Sequence, residues 1–79
     1  MPKIRWSLKV NKNVHIVELV HAYFSGKRKL TVDDQIIVDE TKFKDTGSDY
    51  EFKIENQSYK IIIKPNFLSW DYSFEITND

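Results

Sequence analysis

Along most of this chain the large apolar side chains fall on every second residue, and that spacing leaves few folds open. Ile4, Trp6, Leu8 and Val10 alternate with Arg5, Ser7 and Lys9. Tyr50, Phe52 and Ile54 alternate with Glu51, Lys53 and Glu55, and Trp70, Tyr72, Phe74 and Ile76 with Asp71, Ser73, Glu75 and Thr77. A period of two sends successive side chains to opposite faces of a strand. No window sustains helical spacing and no internal repeat stands out. The chain reads as all-β.

The remaining segments fill in the strands. Val14 to His21 places Val17 and Leu19 on one face with His15 and His21, and Val14, Ile16 and Val20 on the other with Glu18. Apolar residues on both faces put that strand inside a sheet. Lys27 to Val32 and Ile36 to Glu40 read as two further strands; Tyr59, Ile61 and Ile63, alternating with Lys60, Ile62 and Lys64, read as another. Asn11-Lys12-Asn13, Asp33-Asp34-Gln35 and Glu55-Asn56-Gln57-Ser58 are the turns between them. Pro65-Asn66 stops a strand, because proline cannot donate to a ladder. Thr41 to Asp49 is expected to be an irregular connection anchored by Phe43. Together these predict an antiparallel β-sandwich of about 7–8 strands, as a single domain spanning residues 1–79.

Size and charge narrow the function. With 79 residues the chain has a small core, and with no cysteine it has no disulfide or thiolate site to supplement it. Met1-Pro2-Lys3-Ile4-Arg5 leads into the alternating pattern without an apolar leader, and no stretch approaches the roughly 20 apolar residues of a membrane span. A cytoplasmic location is expected. Twelve basic and twelve acidic residues cancel, so no long-range field draws the chain to nucleic acid or to an anionic membrane.

No phosphate-cradling glycine loop, nucleophile elbow or zinc-binding helix motif is present, and the chain is expected not to be an enzyme. His15 and His21 share a strand face but stand about 20 Å apart at ~3.3 Å per residue, too far for one metal ion. Neither a metal nor a cofactor is expected. The run Lys27-Arg28-Lys29, close to Tyr23 and Phe24, admits a phosphate- or nucleic-acid-binding reading; alternate residues of a strand pointing to solvent explain it as well. Trp70, Tyr72, Phe74 and Ile76 are assigned to the core. Tyr23, Phe24, Phe67 and Leu68 fall in predicted loops, as exposed contact residues or as plugs for the ends of the fold.

Val14-His15-Ile16-Val17-Glu18-Leu19-Val20-His21, Ser25-Gly26-Lys27-Arg28 and Val32-Asp33 keep a spacing that resembles the N-terminal domain of the Fas apoptotic inhibitory molecule family. The opening strand with Trp6 and the closing Trp70-Asp71-Tyr72-Ser73-Phe74-Glu75-Ile76 are similar too, so the resemblance covers nearly the whole chain. It implies a non-catalytic antiparallel β-sandwich without cofactor, acting through protein contacts in apoptosis and cell-survival signalling. Members carry two related β domains where this chain has one, and an acidic-glycine turn after Val-Asp where this chain has Asp33-Asp34-Gln35. Ser25-Gly26-Lys27-Arg28 has a structural account, a glycine turn opening a strand, and a functional one, a basic spot for an acidic partner. The partner-binding candidates are Tyr23, Phe24, Lys27 and Arg28. A protein-interaction module is the leading expectation, an assembly or dimerisation domain the alternative, and single-stranded nucleic-acid binding the third.

Overall fold

The computed structural model describes residues 3–44, 46–67 and 69–77. Seven strands run through them: β1 (Lys3–Val10), β2 (Asn13–His21), β3 (Lys27–Val32), β4 (Gln35–Thr41), β5 (Ser48–Ile54), β6 (Gln57–Pro65) and β7 (Trp70–Thr77). They form a four-stranded sheet in the order β1-β2-β3-β4 and a three-stranded sheet in the order β5-β6-β7, antiparallel throughout. The expectation of an all-β chain of about seven antiparallel strands holds. Backbone proximity divides the chain into two compact units, 1–45 and 46–79, each built on one sheet. Leu68 lies outside the described residues.

In the first unit the register sorts side chains by face. Ile4, Trp6 and Leu8 of β1 stand opposite Leu19, Val17 and His15 of β2; Leu19 and Val17 in turn stand opposite Leu30 and Val32 of β3, and Leu30 opposite Val38 of β4. Val17, Leu19 and Leu30 on this face are wholly buried. β2 lies between β1 and β3, the interior position its two apolar faces predicted. On the opposite face, beside Ile16 and Val20, Glu18 takes an ion pair from Lys3 at 2.9 Å and a longer one from Arg5 at 3.7 Å. A one-residue register shift between β3 and β4 leaves Ile37 as an extra residue on β4, the edge strand.

Three hairpins close through two-residue turns, one residue or more tighter than the sequence suggested. Asn11-Lys12, Asp33-Asp34 and Glu55-Asn56 each have positive φ at both positions (49° and 74°, 49° and 66°, 51° and 77°). This is the type I′ turn, whose twist matches that of the strands it joins. The ladder therefore runs up to the turn. Val10 pairs with Asn13, Val32 with Gln35 and Ile54 with Gln57, so these turn-like residues belong to strands.

The second unit follows the same logic with aromatic residues. Phe52, Ile54, Tyr59, Ile61 and Ile63 are buried on one face. Phe74 of β7 meets the Phe52 ring edge-on at 6.1 Å and lies tilted on Tyr59 at 5.2 Å. Of the row assigned to the core, Trp70, Tyr72 and Phe74 are half-buried and Ile76 is 65% exposed. β7 is the edge of its sheet, so no further strand flanks that row. Pro65 is the last residue of β6, as expected. Beyond it Asn66 organises the turn: its N–H donates to the Ser69 carbonyl and its Oδ1 accepts from the Ser69 N–H at 2.7 Å. Gly47 enters β5 at φ 96°, where a Cβ would overlap the Ile63 carbonyl oxygen.

Candidate functional site

Several of the residues between 14 and 33 that carry the family resemblance gather into two clusters within the first unit. One ties a turn to a strand. The Asp33 carboxylate accepts from His15 Nδ1 at 2.6 Å and from the Ile16 N–H at 2.9 Å, while the Asp33 N–H donates to the Ile16 carbonyl at 2.8 Å. The hydrogen bond from His15, then that from the Ile16 amide, holds the Asp33 carboxyl below its ordinary pKa. Glu18 is lowered as well, first by its hydrogen bond from Lys3 and then by the charges of Lys3 and Arg5.

The second cluster centres on Arg28, which is 0% exposed. This corrects the reading of Arg28 as a surface contact. Parity along β3 explains it: Arg28 shares a face with Leu30 and Val32, whereas Lys27 and Lys29 project to the other side. A buried cation persists only with partners. Arg28 Nε donates to the Gly26 carbonyl at 3.2 Å, and Nη2 lies 3.3 Å from His21 Nε2. A guanidinium only donates, so His21 Nε2 is the acceptor of that bond. His21 is itself buried and takes the Tyr23 ring edge-on at 5.5 Å. Glu40 of β4 is Arg28's cross-strand neighbour on the side away from His21.

These bonds fix the loop between β2 and β3. The Ala22 N–H donates to the Lys27 carbonyl, the Gly26 N–H to the Ala22 carbonyl, and the Lys27 N–H to Ser25 Oγ at 3.3 Å. Gly26 sits at φ 75°, and a Cβ there would overlap the Lys42 carbonyl oxygen. The Lys42 N–H in turn donates to the Gly26 carbonyl at 3.0 Å, which joins the segment after β4 to the loop. Ser-Gly thus has the structural role that loop geometry suggested.

What the locked loops present is aromatic. Phe24 is fully exposed at 106%, Tyr23 is 44% exposed, and Lys27 points to solvent. Phe43, expected to anchor its connection, is 94% exposed instead. It follows directly on Lys42, whose backbone is bonded to Gly26, so two exposed phenylalanines sit on two hydrogen-bonded loops at one end of the sheet. Three of the four candidate contact residues, Tyr23, Phe24 and Lys27, are at the surface there. Phe43 was missed as a fourth because lone aromatics in connections are usually buried. Phe67, in the second unit, is also exposed, at 97%.

No curated protein matches the sequence. The family model described as Fas apoptotic inhibitory molecule (FAIM1) matches residues 2–79, essentially the whole chain. The chain belongs to the Fas apoptotic inhibitory molecule family.

Proposed function

We propose that this chain is a non-enzymatic protein-interaction module with an apoptosis-related, cytoplasmic role, and that it meets its partner through Tyr23, Phe24, Lys27 and Phe43. One observation carries the reading: Phe24 and Phe43 are exposed on loops locked from beneath by Arg28, Gly26 and Lys42. An aromatic side chain left in water on a fixed backbone loses little further entropy on docking, which is what makes such residues binding hot spots. Family membership supports the apoptosis-related role, and the absence of cysteine fits a reducing compartment.

The test is capture of cellular partners by the wild-type chain and by Phe24→Ala/Phe43→Ala. The double variant keeps the wild-type dispersion of amide signals and loses the partners. Retention of every partner by the folded variant rejects this surface.

A second reading, self-assembly, draws on Ile36 and Ile37, 58% and 44% exposed on the edge strand β4. The extra residue at Ile37 bends that edge and works against strand addition. Sedimentation across a concentration series decides: a monomer throughout removes it.

A further inference from the structure

Beside the aromatic loop, between β2 and β3, lies a hollow of about 150 Å³ lined by Val20, Ala22, Lys27 and Lys29. Its walls are aliphatic, since lysine stems are hydrocarbon up to their terminal ammonium groups. Val20 and Lys29 are cross-strand neighbours, and the Ala22 N–H is bonded to the Lys27 carbonyl, so the hollow rests on paired backbone. A space of this size takes a group about as large as benzene.

The loops beside it are basic, while Glu18 and Asp34 line a neighbouring hollow with Val20 and Lys29. Residues 22–32 and 41–44 contain Lys27, Lys29, Lys42, Lys44 and the buried Arg28, and no acid. Of the acids elsewhere in the unit, Glu18 is engaged by Lys3 and Arg5, and Asp33 by His15 and Ile16. Asp39 stands across from Lys29. Among the described residues neither Lys27 nor Lys44 is in an ion pair. The backbone path from Phe24 through Gly26 and Lys42 to Phe43 limits their Cα separation to about 17 Å, the reach of roughly five extended residues.

We infer that the partner element is a short acidic segment of another protein, one of whose apolar side chains enters the Val20–Ala22 hollow while neighbouring carboxylates meet Lys27 and Lys29. This rests on the surface proposed above and adds the chemistry of what it receives. The hollow suits a branched or aromatic side chain. The lysines at its mouth favour acids on either side of that anchor and disfavour a basic peptide. A nucleic acid fits less well, because a chain of zero net charge offers no extended field for a polyphosphate.

The experiment titrates the intact chain, followed by amide signals, with three synthetic peptides: Asp- and Glu-rich around a central Leu-Phe, its Asn/Gln counterpart, and its Lys counterpart. A single-stranded oligouridine is the fourth probe. The acidic peptide moves the signals of Val20, Ala22, Phe24, Lys27 and Lys29. Its affinity falls about tenfold in Lys27→Glu/Lys29→Glu, and by a similar factor between about 0.05 and 0.5 M salt. Equal binding of the Asn/Gln peptide overturns acid recognition, as does acidic-peptide binding that the charge-reversed variant leaves intact. Tighter binding of oligouridine overturns it in favour of nucleic acid. If no peptide binds while Phe24→Ala/Phe43→Ala still strips the cellular partners, the surface stands and the acidic segment is rejected.

Discussion

An alanine at position 26 would bring a methyl carbon into the Lys42 carbonyl oxygen and hold an L-residue at φ 75°. Left-handed backbone alone costs roughly 1–2 kcal/mol, and the overlap adds to it, so Gly26→Ala should lower stability by more than about 2 kcal/mol in chemical denaturation. Arg28→Met keeps much of the buried volume but removes both the bond to the Gly26 carbonyl and the donor to His21. We expect a loss of about 2–3 kcal/mol, not restored by Arg28→Lys, which lacks the fork that reaches two acceptors. Asp33 gives a pH signature. Its folded pKa lies below the ordinary 3.8, so its contribution is fully present above that value and is lost as pH falls through the depressed folded value. The stability gap between wild type and Asp33→Asn should therefore be widest at neutral pH and close in acid below about pH 4. A gap that stays constant across that range refutes the clamp.

At the scale of elements, the three type I′ turns work without the glycine such turns favour. Lys12, Asp34 and Asn56 hold the second position at φ 74°, 66° and 77°. Asn and Asp tolerate left-handed backbone better than Lys does. Glycine substitution should thus stabilise most at Lys12, by up to about 1 kcal/mol, less at Asp34, and least at Asn56. Denaturation midpoints of the three single variants test the ranking. Asp34 occupies the place where the family resemblance leads one to expect glycine; the Asp33 clamp on His15 and Ile16 holds the turn in spite of it.

Across the whole molecule, balanced charge and exposed aromatic rings set its colloidal behaviour. With zero formal charge and a sequence pI near 6.7, repulsion between molecules is weakest close to neutrality. Solubility should pass through a minimum there, and Phe24→Ser/Phe43→Ser/Phe67→Ser should raise it without shifting the unfolding midpoint. Light scattering against pH tests both statements.

The sequence alone determined the strands, because a two-residue period with turn residues between runs is a local signal that survives without knowledge of neighbours. β3 was placed at its observed bounds and β1 and β7 to within a residue, and the family signature was legible in His15, His21, Ser25-Gly26-Lys27-Arg28 and Asp33. Burial was the weaker inference where charge argued against parity: Arg28 lies on the apolar face of β3, where its bonds to Gly26 and His21 help make that tolerable. Phe43 failed for the opposite reason, since nothing local says whether an aromatic residue in a connection finds a cover. Pairing decided both. Which carbonyl faces a guanidinium, and which ring is left in water, depends on strands distant in sequence, and those contacts exist only once the chain has folded.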